Sequence, residues 1–530
     1  MTSPLPPLLT DRGALLERLR ERRTFDIAII GGGATGLGVA LDAALRGLSV
    51  VLLESHDFAK GTSSRATKLV HGGVRYLAQG NISLVREALQ ERSNLLQNAP
   101  HLAQPLSFVM PAYQWWEAPF YGVGLKAYDL LAGKAGLGAT EFLNAAHARK
   151  LLPNVNPVHL CGGVKYWDGQ FDDARLALAL ARTAAIQGAL LVNYCEVVGL
   201  IHETGHVVGL RCRDTAADLV IDVHARCVVN ATGVWVDSLR QLDSQACGRV
   251  SQPIVAPSQG VHLVVDREFF PGDHALLVPK TVDGRVLFAV PWLGKVILGT
   301  TDTPRRDLAR EPEPFADEVA FILTECGRYL QRAPQRSDVR SMWVGLRPLV
   351  KPEADDGANT KSVSREHTVS ISRSGLVTVT GGKWTTYRSM AEDVLEKCRG
   401  AGLLGALPPS STATHRLIGA PLKGTVTRAI SEEPGIHQYG VEGAHVLSLH
   451  GSSTILAPNL TEAMVRFAVR HEYARTVEDV LARRSRLLFL DARAAARAAP
   501  GVAAVMADEL GCSIPIDDFL ILAERYGTVP

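Results

Sequence analysis

Cysteine is sparse in this chain. The eight cysteines stand at 161, 195, 212, 227, 247, 326, 398 and 512, far apart and without a C-x-x-C pair. That pattern argues against a disulfide framework and against a zinc site, so no metal is expected and a reducing compartment is the simplest setting. Excess charge is also missing. Lys and Arg number 56 against 54 Asp and Glu, a formal net charge of +2, so nothing draws the chain in bulk to nucleic acid. Long apolar runs are absent too: no segment reaches about 18 consecutive uncharged apolar residues, the length a spanning helix needs. The richest run, residues 176–192, is interrupted by Arg182, Thr183 and Gln187 and reads as a buried helix. Residues 1–23 hold no apolar signal core, and Asp11, Glu17 and Glu21 sit badly with a transit peptide. A cytosolic protein able to rest on a membrane surface is expected.

What is present is ample core material. Hydrophobic residues make up 46% of 530, which excludes disorder as the dominant state. At about 150 residues per domain the chain should hold three or four domain-sized units. Residues 25–30 (FDIAII) form a short apolar run suited to a parallel strand buried on both faces. Helical composition follows over 34–46, then a second buried strand over 49–53 (SVVLL) that ends at Glu54. This is one strand–helix–strand crossover. Alternating apolar stretches at 261–265, 286–290 and 296–298 suggest antiparallel strands of a second unit. A helix is expected over 317–330 and a buried strand over 376–380. Helices should dominate the tail at 461–469, 476–490 and 492–509, with Thr476 and Asp479 at capping-box spacing.

The first strand runs into Gly31-Gly32-Gly33-Ala34-Thr35-Gly36, a G-x-G-x-x-G with glycines at 31, 33 and 36. Gly31 allows the tight turn, Gly33 lets backbone approach a pyrophosphate, and Gly36 permits close helix–strand packing. Glu54 lies 23 residues after Gly31, where a carboxylate accepts hydrogen bonds from ribose hydroxyls and disfavours a 2′-phosphate. NAD and FAD remain. A polar stretch, Gly61-Thr62-Ser63-Ser64-Arg65, and a second strand, residues 227–230, ending in Ala231-Thr232-Gly233, resemble FAD-dependent oxidoreductases that hold their cofactor along its length.

Four further motifs make the resemblance specific: KLVHGGVRYL (68–77), GTTDTP (299–304), VGLRPLV (344–350) and TGGKWTTYRSMAED (380–393). Together with residues 61–65, Trp115-Trp116 and Trp384, they are similar to FAD-dependent, quinone-linked glycerol-3-phosphate dehydrogenases, closer to the mitochondrial type. The chain departs from that type in showing neither a transit peptide nor a D-x-D-x-D-G loop near its C-terminus, so calcium regulation is not implied. Residues 419–459 match neither the mitochondrial nor the enterobacterial form well.

The likeness implies an α/β protein. A discontinuous Rossmann-like FAD-binding domain (25–250 and 343–400) follows a lead-in (1–24), with a β-rich substrate domain (251–342) and a C-terminal helical cap (416–530). It implies glycerol 3-phosphate, a membrane quinone and a membrane surface as partners, no nucleic acid, and a homodimer as one open assembly. The expected place is the cytoplasmic side of a bacterial inner membrane, or else the mitochondrial inner membrane. Oxygen as acceptor, in a glycerol-3-phosphate oxidase, and a non-catalytic or RNA-modifying flavoprotein stay as alternatives.

Residue roles follow. A phosphate dianion asks for fixed cations with fork geometry, which arginine provides. On spacing alone Arg75, Arg347 and Arg365 read as ordinary salt-bridge residues; the resemblance assigns them to substrate. His262 is the candidate proton acceptor for the C2 hydroxyl while hydride passes to flavin N5, with a core histidine as the alternative. Tyr76 donates to substrate or simply packs. Lys383 and Thr385, after Gly382, sit where reduced flavin gathers negative charge. Thr62, Ser63, Ser64, Lys68, His71, Gly72, Ala231 and Gly233 complete the expected cofactor contacts. Two surfaces are expected to meet a membrane. One is residues 12–23, with Arg12, Arg18, Arg20, Arg22 and Arg23 among Leu15, Leu16 and Leu19, a stretch equally readable as a solvated lead-in. The other is Arg483, Arg484 and Arg486 beside residues 487–490.

Overall fold

The FDIAII run lies at the centre of a sheet. Strand Thr24–Ile30 pairs in parallel with Leu219–Asn230 on one side and Val50–Leu53 on the other. The Ala34–Leu45, Asp173–Ile186 and Tyr387–Gly400 helices pack side by side against it, the first between the other two. The computed structural model describes residues 9–21, 23–73, 77, 81–281, 284–351 and 367–530. Among them this sheet runs His367–Ile371, Val377–Gly381, Leu219–Asn230, Thr24–Ile30, Val50–Leu53, Leu190–Val192, with the Cys195–Glu203/His206–Asp214 hairpin beside Leu219–Asn230. The apolar stretch 176–192 is therefore not one helix. It breaks at Gly188, whose φ of 97° turns the chain from the Asp173–Ile186 helix into strand Leu190–Val192.

A second sheet has Val255–Asp266 near one edge, paired antiparallel with Lys295–Gly299 and Ser341–Val350. It is wider than residues 251–342. Leu69–Val70, Ala103–Ala112, Glu141–Asn144 and Gly162–Phe171 extend it, joined through Ala275–Val278. Pro105 and Pro111 in one of these strands, and Gly162, Gly163 and Gly169 in another, erase the usual strand signature from the sequence.

The C-terminal helices Glu462–His471, Ala492–Leu510 and Asp517–Gly527 share an apolar core with Trp292 and Trp343 of this sheet. Thr476 and Asp479 cap reciprocally, Asp479 N–H donating to Thr476 Oγ1 at 3.2 Å and Thr476 N–H to Asp479 Oδ2 at 3.0 Å. The expected helix over 476–490 does not continue. A wide π-type turn, Asp479–Arg484, is followed by Arg486 at φ 64° and a short Leu487–Leu490 helix. This path takes three arginines inward. Arg483 and Arg484 both bond Asp57, and Arg486 donates to Asp173 Oδ1 at 3.0 Å. Lys60–Glu478 and Arg175–Glu472 add further ties between cap and first sheet.

Both expected membrane surfaces are corrected by this packing. In the Arg12–Arg20 helix Leu15 and Leu19 are 2% and 1% exposed, set into the core of the first sheet, while Arg12 reaches Asp214 at 2.8 Å. Arg483, Arg484, Arg486 and residues 487–490 are buried. Apolar residues beside arginines read the same whether they face lipid or a core; tertiary packing decided here. No helix among the described residues is long and apolar enough to cross a membrane.

Candidate active site

The dinucleotide cradle forms where the first strand meets its helix. Gly31 has φ 108°, and a Cβ there would stand 2.7 Å from Ala231 O; a Cβ on Gly36 would overlap the Gly31 carbonyl. Gly33 precedes the Ala34–Leu45 helix, so that helix's N-terminal N–H groups face the cavity. Ser63 Oγ accepts from Ala34 N–H at 2.9 Å. Glu54 Oε2 accepts from Gly32 N–H at 2.7 Å, and Oε1 from His56 N–H at 2.9 Å, which fixes the carboxylate at the strand's end. Thr62 Oγ1 donates to Leu346 O at 2.5 Å, and Trp384 Nε1–H to Ser63 O at 2.9 Å, so the 62–64 turn bridges the two sheets.

These groups line one cavity of about 1580 Å³. Of the sequence-derived residues it is lined by Gly31, Gly33, Glu54, Thr62, Ser63, His71, Ala231, Gly233, His262, Arg347, Gly382, Lys383 and Thr385. Gly36, Ser64, Lys68 and Gly72 lie behind its wall. Lys68 is fully buried, its ammonium 2.7 Å from both Asp173 Oδ2 and Ser64 O, and burial pulls its pKa down to about 7. Gly72 N–H donates to Asp168 Oδ1 at 3.3 Å. Arg75, Tyr76 and Arg365 fall outside the described residues.

Another wall of the cavity is built by the second sheet. His262, on Val255–Asp266, is 2% exposed and stacks on Trp343 with ring centroids 5.2 Å apart. Its Nε2 lies 2.9 Å from Thr67 Oγ1, and its buried Nδ1 has no hydrogen-bond partner among the described residues. Burial, then the charges of Lys68 and Arg347, hold its pKa well below the ordinary histidine range. The imidazole is therefore neutral near pH 7. Arg347 donates to Thr301 O at 3.0 Å and Gln259 O at 3.2 Å, contacts that fix the guanidinium at the cavity wall. Lys383 precedes the Trp384–Thr386 turn, and Thr385 Oγ1 accepts from His71 N–H at 3.2 Å.

Sequence reasoning missed Thr67, the partner of His262, and gave no role to Thr300, Thr301 and Asp302, which also line the cavity. The GTTDTP motif carried that signal. Elsewhere His202, Asp243 and Cys247 bring ligand atoms within 4.8 Å of one another, but His202 and Ser374 already hydrogen-bond the Asp243 carboxylate.

A glycine cradle, an acid at the end of the second strand and a buried neutral histidine in a second sheet share this cavity, and the sequence model of the FAD-dependent oxidoreductases matches residues 26–388, which places the chain in that class. Residues 410–514 match the C-terminal domain of alpha-glycerophosphate oxidase. The chain is 42% identical over 533 residues to the mitochondrial glycerol-3-phosphate dehydrogenase of Homo sapiens, covering 94% of this chain and 72% of that one. The Mus musculus protein of the same name is 41% identical, with 97% and 74% covered. A glycerol-3-phosphate dehydrogenase of Bacillus halodurans, solved with FAD, superposes with a TM-score of 0.77 at 28% identity over 98% of both chains. An FAD-bound L-alpha-glycerophosphate oxidase from Mycoplasma pneumoniae shares the fold, with a TM-score of 0.56 at 17% identity over 74% of this chain and 98% of that one. The chain belongs to the FAD-dependent glycerol-3-phosphate dehydrogenase family.

Proposed function

We propose that this chain oxidises sn-glycerol 3-phosphate to dihydroxyacetone phosphate with FAD as its cofactor and a membrane quinone as electron acceptor. The observation that carries the reading is that His262 and Arg347, on neighbouring strands of one sheet, face the same cavity as the Gly31–Gly36 cradle and Glu54. The cradle fits FAD, because its glycines leave room where side chains would collide with backbone. Bound FAD supplies the two-electron redox chemistry. Glu54 is placed for ribose hydroxyls, and the helix beginning at Ala34 for the pyrophosphate. Arg347 sets a permanent cation, already oriented by Thr301 O and Gln259 O, against the substrate phosphate. His262 takes the C2 hydroxyl proton at Nε2, the nitrogen beside Thr67, since Nδ1 is sealed in the sheet. Arg75, Tyr76 and Arg365 keep their proposed substrate roles, and Lys383 and Thr385 their cofactor role.

Dye-linked turnover of glycerol 3-phosphate beside unphosphorylated glycerol tests this directly. Selective turnover of the phosphate ester is expected, and equal or absent turnover of both overturns the reading. The C-terminal match to an oxidase domain favours oxygen as a second acceptor. Stoichiometric peroxide without reduction of a ubiquinone analogue would establish that alternative. A quinone acceptor places the protein at a membrane surface, on the inner membrane of a bacterium or a mitochondrion.

A further inference from the structure

On one side the strand that carries His262 loses its neighbour at Gly260 and Val261. Val255–Asp266 pairs with Lys295–Gly299 from Asp266 to His262, and pairing resumes only at Gln259 opposite Thr303. Thr300, Thr301 and Asp302 leave the ladder between these points and line the cavity. Side chains replace the missing backbone bonds. Thr301 Oγ1 accepts from Val261 N–H at 3.0 Å, and the same hydroxyl donates to Glu318 Oε1 at 2.8 Å. Glu318 Oε2 accepts from Gln259 Nε2 and from Phe315 N–H, the latter at 3.0 Å. Glu318 is 4% exposed, on the first turn of helix Ala316–Tyr329, behind the cavity lining. One buried carboxylate therefore ties the His262 strand to the 300–302 turn.

We propose that Glu318 is a positioning residue for the substrate phosphate, acting through the Arg347 fork, an inference that rests on the functional reading above. Arg347 bonds backbone carbonyls of the same two residues whose side chains this carboxylate joins. Its Nη2 donates to Thr301 O and its Nη1 to Gln259 O. The guanidinium lies across Gly260, where a Cβ would overlap Nη2, so the fork is seated directly on the His262 strand. The spacing of the two carbonyls sets the fork's direction, and Glu318 sets that spacing from behind. A carboxylate suits this place, because three donors converge on it and it is an acceptor only. Charge-assisted bonds of this kind are short and strong, so the turn is ordered before substrate arrives and binding need not order it. The effect belongs to the phosphate ester, since unphosphorylated glycerol has nothing for the fork to hold. The bond from Phe315 N–H is a separate matter, an ordinary cap of the helix.

The test uses purified holoenzyme and separates the tie from the cap. In Glu318→Gln the amide oxygen keeps Gln259 and Phe315, while its NH2 group meets a hydroxyl that already accepts from Val261, so the tie to the turn weakens. Thr301→Val breaks the tie and leaves the cap alone; Thr301→Ser keeps the hydroxyl. KM for glycerol 3-phosphate in dye-linked turnover should rise about tenfold in Thr301→Val and about three- to tenfold in Glu318→Gln, with kcat changed less than either. Thr301→Ser should stay within about twofold of wild type, and FAD content should be that of wild type in all three. Titration calorimetry with dihydroxyacetone phosphate should show the same weakening without turnover. In an Arg347→Ala background Glu318→Gln should add less than about twofold, because residues acting through one another are not additive. Wild-type KM in Glu318→Gln, a Thr301→Ser variant as poor as Thr301→Val, or full additivity with Arg347→Ala overturns the proposal and leaves the functional reading standing. A wild type that does not prefer glycerol 3-phosphate to glycerol sinks that reading, and the proposal with it.

Discussion

Gly299 lies opposite His262 on the neighbouring strand, so close that a Cβ there would stand 2.8 Å from His262 Cδ2. The imidazole owes its place to that missing side chain. Gly299→Ala should therefore displace the ring without touching the dinucleotide cradle. FAD content should remain at wild-type level while kcat/KM for glycerol 3-phosphate falls about 10–100-fold, the cost of a misplaced catalytic group. A variant with wild-type kcat/KM would show that the ring's position does not matter.

The buried imidazole should also set the pH profile. Its pKa lies well below the ordinary value, with burial first among the causes, then Lys68 and Arg347. A base that must be neutral to accept a proton then works down to acidic pH. The acid limb of kcat/KM should fall well under the ordinary histidine value of about 6.5. Lys68→Met removes one of the opposing charges and should move that limb upward, still short of 6.5 because burial remains. The shift should be read below pH 7, where Lys68, itself pulled to about 7, carries its proton. His262→Asn should cost roughly 10²–10⁴-fold in kcat. A limb unmoved by Lys68→Met would separate the two residues.

The first sheet was legible in the sequence because buried parallel strands read as unbroken apolar runs bounded by glycine. Residues 25–30 and 49–53 do so, and the observed strands fall within a residue of them. That Gly31, Gly33 and Glu54 meet at one cavity was legible for the same local reason: the turn and the acid sit at fixed offsets from those strands. Thr67 was not, since its role arises only when the 62–70 segment crosses to the second sheet and meets His262. Lys68 misled through its motif, being bonded to Asp173 beneath the cavity wall. The two membrane surfaces misled through composition. Leu15 and Leu19 beside arginines look amphipathic, yet their apolar side is used up by the core.

Arg347 makes a separate prediction about substrate affinity. Its guanidinium is held by Thr301 O, Gln259 O and Thr300 Oγ1, so the charge is fixed before substrate arrives. Arg347→Ala should weaken kcat/KM for glycerol 3-phosphate by about 2–5 kcal/mol in transition-state terms. Arg347→Lys should rescue it partly, because an ammonium restores charge without the fork. Steady-state kinetics with both variants decides, and wild-type kcat/KM in the alanine variant removes Arg347 from the site.

Asp57 joins the cap to the first sheet, and its chemistry predicts how the protein fails in acid. The carboxylate is fully buried against Arg483 and Arg484, with Arg484 Nη2 at 2.9 Å from Oδ1. Burial alone would raise its pKa; Arg484 and then Arg483 outweigh burial and hold it below the usual range. A depressed carboxylate contributes stability that is fully present above its unfolded pKa of about 4 and is lost as pH falls through the folded value. The protein should therefore show a steep loss of thermal stability below pH 4 in which this pair takes part. Asp57→Asn leaves the buried Arg484 guanidinium without its carboxylate, while Arg483 keeps Glu478 and Asp479, and should cost about 3–5 kcal/mol at neutral pH. The variant should also flatten the acid limb of the stability curve, since it has no carboxylate to protonate there. Glu268→Gln, which breaks an exposed pair with Arg332, should leave the melting temperature nearly unchanged. Melting curves of the three proteins from pH 3 to 8 settle the matter, and an Asp57→Asn variant as stable as wild type would mean that this carboxylate does not hold the cap.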